Sequence, residues 1–259
     1  MASGILQGKT VVVTGGSSGI GRGIALAAAR HGAGAVIVAD ISEDPREDAA
    51  PTAHELTEMG VPSRFIKTDV SRRDDVDALV EAAGEFGGVD VMAANAGVMS
   101  GADGLDIPAD AVEFILSVNL YGALYSAQAA IRQMRSMKKQ GSIVITASGG
   151  AFFGHRATPI YSASKGGVVL LMKSLADAVG PYGIRVNAVC PGVVDTVLAR
   201  STEAEDTKET SANWINTVPL KRVGRPSEIG DAVAFLGSDL ATYVTGVALP
   251  IDGGLSATR

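Results

Sequence analysis

The sequence is poor in cysteine, in aromatic residues and in positive charge. Its single cysteine, Cys190, excludes an intrachain disulfide and a cysteine-rich metal site. Aromatic residues make up 5% of the 259 residues, and 22 Lys and Arg are outnumbered by 28 Asp and Glu. The resulting net charge of −6 argues against non-specific nucleic-acid binding.

Long hydrophobic runs are also lacking. No stretch approaches the roughly 18 uninterrupted apolar residues of a membrane span, and Met1–Lys9 has no signal-peptide pattern. A single cysteine suits a reducing compartment. We therefore expect a cytoplasmic protein that engages neither a membrane nor nucleic acid, and no metal site is expected.

Short apolar runs alternate with longer helical patterns along the chain. Continuous apolar runs rich in β-branched residues are typical of strands buried on both faces of a parallel sheet. The predicted strands are Thr10–Thr14, Ala35–Asp40, Ser63–Thr68, Val89–Ala94, Ser142–Ala147, Ile184–Val189 and Val247–Ile251. The predicted helices between them are Gly19–His31, Pro45–Met59, Arg72–Phe86, Ala111–Met137, Ser162–Gly180 and Ser227–Leu236.

This alternation predicts an α/β fold, a doubly wound parallel seven-stranded sheet with helices on both faces, as in a Rossmann fold. The chain has no Pro/Ser-rich linker and no internal repeat, so residues 1–259 are expected to form a single domain. Ser71 is a candidate N-cap for the third helix. Pro226 and Ser227 are expected to open the last helix, with Glu228 adding negative charge to its first turn.

One polar and charged segment, residues 196–219, interrupts the alternation after a predicted strand. Ligands bind at the carboxyl ends of strands in such sheets, so the segment is favoured as a substrate loop or lid. A solvated surface excursion is the alternative.

A glycine-rich loop follows the first strand and opens directly into a helix. Glycines permit a tight turn and let backbone N–H groups approach a pyrophosphate, which the positive end of the helix also favours. The position of the loop between a strand and a helix makes this a specific signal. The candidate cofactor-binding residues here are Gly15, Ser17, Ser18, Gly19, Ile20 and Gly21.

Asp40 ends the second strand, 19 residues after Gly21. A carboxylate at this place can accept hydrogen bonds from the adenosine ribose hydroxyls and would repel a 2′-phosphate. The following residue, Ile41, carries no positive charge, and Arg22 and Arg46 are less well placed to bind a phosphate. We therefore predict NAD(H) as the cofactor, with NADP(H) the less favoured choice and a turn or helix cap the alternative role for Asp40.

Tyr161 and Lys165 are four residues apart, which places both side chains on one face of a helix. A nearby ammonium would favour the phenolate and lower a tyrosine pKa from its usual value of about 10. Ser148, at the end of a predicted strand, could bring a hydroxyl to the same point. Two hydroxyls converging on one substrate oxygen would polarise a carbonyl or hold an alcohol.

Taken together, these motifs resemble the short-chain dehydrogenase/reductase family in its compact single-domain form, over nearly the whole chain. The residues that carry the resemblance are Thr14–Gly21, Asp69, Val70, Asn95, Ala96, Gly97, Asn119, Ser148, Tyr161, Lys165, Pro191, Gly192, Thr196 and Asp252–Gly254. The family often has Asn where this chain has Ala94, a departure that puts little in doubt.

The resemblance implies a role for each matched residue. Tyr161 would be the acid/base, Lys165 would lower its pKa and bind the nicotinamide ribose, Ser148 would hold the substrate oxygen, and Asn119 would anchor a proton-relay water. Asn119 could instead be an ordinary helix-interior residue. Further implied cofactor contacts are Asp69 and Val70 at the adenine, Asn95, Ala96 and Gly97 along the cofactor, and Pro191, Gly192, Val193 and Thr196 near the nicotinamide.

The predicted activity is interconversion of a secondary alcohol and a ketone by hydride transfer. Ser148, Gly150, His155 and Tyr161 are the candidate substrate-binding residues, and the family resemblance further suggests a homotetramer. Two alternatives stay open: an NADPH-dependent 3-oxoacyl reductase, for which the basic residues Arg132, Arg135, Lys138 and Lys139 would form a docking patch, and a non-catalytic dinucleotide-binding redox sensor.

Overall fold

The computed structural model describes residues 4–99, 106–154, 157–197 and 215–258. Its seven strands are all parallel and pair in the order β3-β2-β1-β4-β5-β6-β7. The strands are β1 (Thr10–Thr14), β2 (Ala35–Asp40), β3 (Ser63–Lys67), β4 (Val91–Ala94), β5 (Gly141–Thr146), β6 (Ile184–Pro191) and β7 (Ala248–Ile251). The sheet predicted from the sequence is confirmed, and each strand lies within two residues of its predicted bounds.

Helices cover both faces of this sheet. They are α1 (Gly19–Arg30), α2 (Thr52–Glu58), α3 (Arg73–Ala82), α4 (Ala109–Leu116), α5 (Gly122–Ser136), α6 (Pro159–Val179) and α7 (Pro226–Gly237). One hydrophobic core joins the sheet to α3, α5 and α6, and a second joins its other face to α1, α2 and α7. Burial on both faces explains why β1 and β2 are almost entirely apolar and β-branched.

The predicted helix Pro45–Met59 is wrong in its first half, because α2 begins only at Thr52. The buried side chains of α2 are Thr52, Ala53 and Leu56, whereas residues 43–50 are mostly exposed and have no apolar face to pack on the sheet. The segment from Ser42 to Ala50 is instead held by hydrogen bonds to Ser17 and Ser18 of the glycine loop and to Arg22 of α1.

The predicted N-cap Ser71 is also wrong. Helix α3 begins at Arg73, its N-cap residue is Arg72, and the Ser71 hydroxyl donates to Asp69 Oδ1 at 2.7 Å. The last helix begins at Pro226 as expected, and the Glu228 carboxylate accepts a hydrogen bond from Arg225 N–H at 2.7 Å. That bond satisfies a backbone donor at the helix start.

The long helix predicted over Ala111–Met137 is interrupted by a π-helical turn, Ser117–Tyr121, between α4 and α5. The helical run Ala109–Ser136 is long and apolar enough to cross a membrane by length and composition alone, but half of its most apolar window is buried inside the protein. Gly122 lies so close to Val70 that a Cβ there would come within 2.7 Å of the valine side chain. This run therefore packs as a core helix.

Candidate active site

The candidate site lies where the strand order reverses. β1 stands between β2 and β4, so the chain leaves the carboxyl ends of β1 and β4 in opposite directions and opens a crevice there. The glycine loop follows β1, and Asn95–Gly97 follow β4. Both segments meet at this crevice, which is the usual ligand site of open parallel sheets.

The glycine loop is built around contacts that no larger residue allows. A Cβ on Gly21 would lie 1.8 Å from the carbonyl oxygen of Gly15, and one on Gly15, which has a φ of 66°, would lie 2.9 Å from Ala96 Cα. The first intrahelical bond of α1 runs from Arg22 N–H to the Ser18 carbonyl, at 3.1 Å. The amides of Gly19 to Gly21 therefore have no acceptor within the helix, and that of Gly19 donates to the Glu47 carboxylate. Together these amides form a cradle at the positive end of the helix that fits a dinucleotide diphosphate.

Asp40 is held beside this loop. Its Oδ2 accepts from Ser17 N–H at 3.1 Å and its Oδ1 from Ile41 N–H at 2.8 Å, while the Ile41 side chain is exposed. The structure thus gives Asp40 the turn-stabilising role considered as its alternative. The same geometry presents its carboxylate at the end of β2, and its contact with an adenosine ribose stays a prediction.

Arg22, one of the two basic side chains weighed as phosphate ligands, is already neutralised. It forms an ion pair with Glu55 and donates to the Ala50 carbonyl and to Thr52 Oγ1. Arg46 is exposed, and its backbone N–H donates to Ser18 Oγ at 2.7 Å.

The two residues predicted at the adenine, Asp69 and Val70, have structural partners. Asp69 Oδ1 accepts from both the backbone and the hydroxyl of Ser71, and its own N–H donates to Asp75. Val70 is buried against Gly122. Contact of either residue with an adenine ring stays a prediction.

Asn95 connects three strands. Its backbone N–H donates to Thr14 Oγ1 at 3.0 Å, its Nδ2 donates to the Thr14 carbonyl at 3.1 Å, and its Oδ1 accepts from Thr146 Oγ1 at 3.1 Å. Ala96 N–H shares the Thr14 hydroxyl, at 3.1 Å. This network fixes the ends of β1, β4 and β5 relative to one another.

Ser148 and Tyr161 are brought together as predicted. Ser148 follows β5, its Oγ accepts from Gly150 N–H at 3.1 Å, and its side chain lies close to the Tyr161 phenol. Burial raises the pKa of Tyr161 above its usual value, and the interaction with the Ser148 side chain opposes that rise. The expected lowering of this pKa is not reached, because the loss of solvation outweighs the Ser148 interaction.

Lys165 is 3% exposed, and its ammonium lies 5.8 Å from the centre of the Tyr161 ring. Its Nζ donates to the Thr146 carbonyl at 2.8 Å. Burial lowers the pKa of Lys165 to about 8, with nearby Cys190 opposing the shift. The Cys190 thiol is itself buried, which raises its pKa to about 11 and suits a packed residue more than a nucleophile.

Asn119 lies in the π-helical turn and is 1% exposed. Its Oδ1 accepts from Val98 N–H at 2.8 Å, and its Nδ2 donates to the Val98 carbonyl at 2.9 Å and to Ser164 Oγ at 3.1 Å. Ser164 in turn donates to the Tyr161 carbonyl at 2.7 Å. Asn119 therefore has specific partners, and the side-chain amide connects the β4 loop to helix α6. Its relay role stays a prediction.

The segment after β6 approaches the glycine loop from the opposite side. Gly192 packs on Asp252, where a Cβ would come within 2.7 Å of the aspartate Cβ, and Val193 O accepts from Gly224 N–H at 2.8 Å. The Thr196 side chain lies over Gly19, 3.3 Å from where a Cβ would stand. Pro191 ends β6. His155 and residues 198–214 of the predicted substrate loop lie outside the described residues.

An open cavity of about 550 Å³ adjoins Ser148 and Tyr161 without being lined by either. Its walls are Gly150, Ala151, Phe152, Phe153, Gly154, Pro159, Ser162 and Ala163. A much smaller cleft reaches the Tyr161 side chain and is bounded by Ile107, Ala111 and Ile115. The surroundings of Tyr161 are thus predominantly apolar, with Gly150 lining the wider opening.

The structure also bears on a metal site and on the basic docking patch. Among the described residues, no three His, Cys, Asp or Glu side chains group so as to hold a metal ion. Three of the four basic residues considered as a docking patch have partners: Arg132 pairs with Asp77, Lys139 with Asp90, and Arg135 stacks on the Tyr182 ring.

Sequence reasoning missed three partners of the predicted residues. Ser164 lies three residues after Tyr161, so its helical spacing could have indicated that it shares the same face. Thr146 holds Lys165 through a backbone carbonyl, which no side-chain motif records. Glu47, whose carboxylate accepts from Gly19 N–H, lies in the segment that was predicted to be helical.

Comparison with known proteins decides the family. A family model described as enoyl-(acyl carrier protein) reductase matches residues 15–256. The chain belongs to the short-chain dehydrogenase/reductase family. It is 40% identical over 252 residues to an L-rhamnose 1-dehydrogenase (NAD(P)(+)) from Sphingomonas sp. (strain SKA58), covering 97% of both chains.

Two other members of the short-chain dehydrogenase/reductase family illustrate its range. A 3beta-hydroxysteroid dehydrogenase 2 from Eggerthella lenta is 36% identical, over 98% of this chain and 96% of that protein. A crystal structure of a short-chain type dehydrogenase/reductase from Mycobacterium marinum superposes with a TM-score of 0.88 at 36% identity, covering 96% of both chains. The protein is therefore an oxidoreductase of this family with a Rossmann-type fold.

Proposed function

We propose that this oxidoreductase uses NAD(H) to interconvert a secondary alcohol and a ketone, with Tyr161 as the acid/base. The observation that carries the proposal is the closeness of the half-buried Ser148 hydroxyl to the Tyr161 phenol, with the Lys165 ammonium 5.8 Å from the centre of the same ring. Family membership supports the redox chemistry, and the assignment of residues, cofactor and substrate is our inference.

The amides of the glycine loop and Lys165 would hold the nicotinamide dinucleotide, which when bound would supply hydride transfer to and from the carbinol carbon. Tyr161 would accept the hydroxyl proton of the substrate during oxidation and donate it to the forming alkoxide during reduction. Ser148 would hold the same oxygen by a hydrogen bond. In this proposal Tyr161 transfers the proton and Ser148 orients the reacting oxygen.

We assign to Lys165 the role of favouring ionisation of Tyr161, because its ammonium lies 5.8 Å from the centre of the ring. Burial alone opposes the phenolate, so a positive charge close to the ring is needed to make it accessible. With a pKa of about 8, Lys165 is mostly protonated at neutral pH and supplies that charge. Above pH 8 the ammonium is lost, and with it this support for the phenolate.

The preference for NAD(H) rests on Asp40. Its carboxylate is fixed by Ser17 and Ile41 amides at the end of β2, and Arg22 is neutralised by Glu55. A 2′-phosphate placed there would meet a negative charge. Because the Sphingomonas relative is named for both cofactors, NADP(H) is the competitor that any assay must include.

The substrate is expected to carry its hydroxyl on a largely hydrophobic body. Phe152, Phe153 and Pro159 line the cavity beside Ser148, and among the described residues of its wall Ser162 alone has a polar side chain. One of the relatives described above is named for the 3β-hydroxyl of a steroid and the other for position 1 of L-rhamnose, which in the pyranose form also carries a ring hydroxyl; we therefore propose a ring hydroxyl as the reacting group.

Parallel initial-rate profiles test this function. Purified protein is assayed with NAD⁺ and with NADP⁺ against secondary alcohols, diols, sterols and sugars that include L-rhamnose. We expect turnover of at least one ring alcohol, with a higher kcat/KM for NAD⁺. Absence of turnover across the panel, with dinucleotide binding intact, would favour a non-catalytic redox sensor.

We further propose a homotetramer acting in the cytoplasm. Exposed large side chains include Phe114 in α4, Tyr121 in the π-helical turn and Leu170 in α6, and Leu240 and Tyr243 are exposed near β7. Two such patches would allow a second and a third copy to associate. Size-exclusion chromatography with light scattering measures the mass directly, and a monomer would contradict the tetramer.

A further inference from the structure

The segment between β2 and α2 is folded onto the glycine loop. The Ser17 hydroxyl donates to the Ser42 carbonyl at 2.7 Å, and Arg46 N–H donates to Ser18 Oγ at 2.7 Å. Ser18 is the N-cap residue of α1, yet its side chain makes no capping bond within the helix. The residue type that usually caps a helix start is used here to hold this segment in place.

This arrangement places a carboxylate on the first turn of α1. Glu47 Oε1 accepts a hydrogen bond from Gly19 N–H, the first amide of the helix. A carboxylate at a helix N-terminus is favoured by the helix dipole, as a phosphate would be. Glu47 and a dinucleotide diphosphate would therefore compete for the same donors.

The fit of Glu47 at this position is incomplete. Its second oxygen, Oε2, is buried and has no hydrogen-bond partner among the described residues. A buried carboxylate oxygen without a partner costs free energy. A ligand that offers several oxygens to the amides of Gly19 to Gly21 could use more of the donors than Glu47 does.

We propose that Glu47 is a competing anion that closes the dinucleotide site and sets the cofactor affinity. Resting on the dinucleotide-binding function proposed above, the closed form has Glu47 on Gly19 N–H, and the open form releases residues 42–50 from the glycine loop. The apparent affinity is the intrinsic affinity multiplied by the fraction of molecules that are open, so a closed form favoured tenfold weakens binding by about tenfold.

The charge of the segment adds to this effect. Glu43, Asp44, Glu47 and Asp48 are countered within it only by Arg46. If general charge repulsion weakens diphosphate binding, removing any one of these carboxylates should have the same effect. If Glu47 competes for Gly19 N–H, removing Glu47 should have a larger effect than removing the others, because only Glu47 makes this hydrogen bond.

Titration calorimetry with ADP-ribose, which carries the diphosphate but no reactive nicotinamide, tests the proposal on the full-length protein. We expect Glu47→Gln to lower the Kd about three- to tenfold, since the neutral amide loses its attraction to the helix start. Asp48→Asn removes the same charge from the adjacent exposed residue and should change the Kd less than twofold.

A second readout does not depend on ligand. Amide hydrogen exchange of the 15–21 peptide should be faster in Glu47→Ala than in the parent protein, because Gly19 N–H loses its acceptor. Equal Kd values for the parent and Glu47→Gln, or equal gains for Glu47→Gln and Asp48→Asn, would overturn the competing-anion proposal. If neither the parent nor Glu47→Gln binds ADP-ribose or NADH, the dinucleotide function itself fails.

Discussion

The side-chain amide of Asn119 holds the backbone of Val98 from both directions. Val98 N–H donates to Oδ1 at 2.8 Å, and Nδ2 donates to the Val98 carbonyl at 2.9 Å. The same Nδ2 reaches Ser164, which bonds the Tyr161 carbonyl. A residue buried in a π-helical turn thereby connects the cofactor side of the crevice to the helix that carries the proposed acid/base.

Replacing Asn119 with Ala should leave the backbone N–H and carbonyl of Val98 without their Asn119 partners, while Ser164 keeps its bond to the Tyr161 carbonyl. We expect the free energy of unfolding to fall by about 1–3 kcal/mol, the usual cost of leaving such groups unsatisfied. Urea denaturation monitored by circular dichroism measures this loss. Ser117→Ala, in the same π-helical turn, is the control because its hydroxyl bonds only the preceding helical turn, at the Phe114 carbonyl. Equal losses in both variants would contradict the specific role of Asn119.

Tyr161→Phe removes the phenolic oxygen while keeping the ring. We expect kcat to fall by about 10²- to 10⁴-fold, the usual contribution of a general acid/base, while the Kd for NADH changes less than twofold. Steady-state rates and NADH fluorescence titration provide the two readings. Tyr125→Phe removes a hydroxyl from helix α5, where Arg73 stacks on the ring, and should retain full activity. Full activity in Tyr161→Phe would exclude the proposed mechanism.

Lys165 should make stability depend on pH in a predictable direction. Its pKa of about 8, against 10.5 for a free lysine, means that the folded protein binds fewer protons than the unfolded chain between these values. The energetic cost of the buried ammonium is complete below pH 8 and is relieved as the pH rises toward 10.5.

Relative to Lys165→Met, the parent protein should therefore gain about 2–3 kcal/mol of unfolding free energy between pH 7 and pH 10. Chemical denaturation of both proteins at several pH values measures the difference, in which the titration of all other groups cancels. A difference that stays constant across this range would show that Lys165 is not held at a lowered pKa.

Asp40→Ser should shift cofactor selectivity toward NADP⁺. Removing the carboxylate beside Ser17 takes away the repulsion of a 2′-phosphate, and we expect the ratio of kcat/KM for NAD⁺ over NADP⁺ to fall about 10- to 100-fold, or about 1.4 kcal/mol per tenfold. Asp44→Ser removes an exposed carboxylate four residues after Asp40 and is the matched control. An unchanged ratio in Asp40→Ser would mean that other groups select the cofactor.

Much of the fold was predictable because buried parallel strands require apolar β-branched runs. Val11 to Val13 and Val36 to Val38 are buried on both faces, and their sequence leaves few alternatives. The break at Ser117–Tyr121 was not predictable, since a π-helical turn has the same apolar periodicity as the helices beside it. Helix α2 was predicted to begin at Pro45 but begins at Thr52. The residues before Thr52 are held in a non-helical conformation by hydrogen bonds to Ser18 of the glycine loop and to Arg22 of α1.

Part of the candidate site was also predictable from the sequence, and part was not. Ser148, Tyr161 and Lys165 were predictable as a group because strand ends and helical spacing bring their side chains together. Contacts made through backbone atoms carry no sequence signature: Thr146 holds Lys165 by its carbonyl, and Gly19 binds Glu47 by its amide. These contacts become visible only in three dimensions.

The network around Asn95 has a consequence for kinetic experiments. Asn95 fixes Thr14, at the start of the glycine loop, and Thr146, whose carbonyl orients Lys165. The Asn95 side chain thus positions both the glycine loop and the Lys165 ammonium. A substitution of Asn95 should therefore change cofactor affinity and the turnover rate together. Its effect cannot be assigned to the binding step or to the chemical step alone.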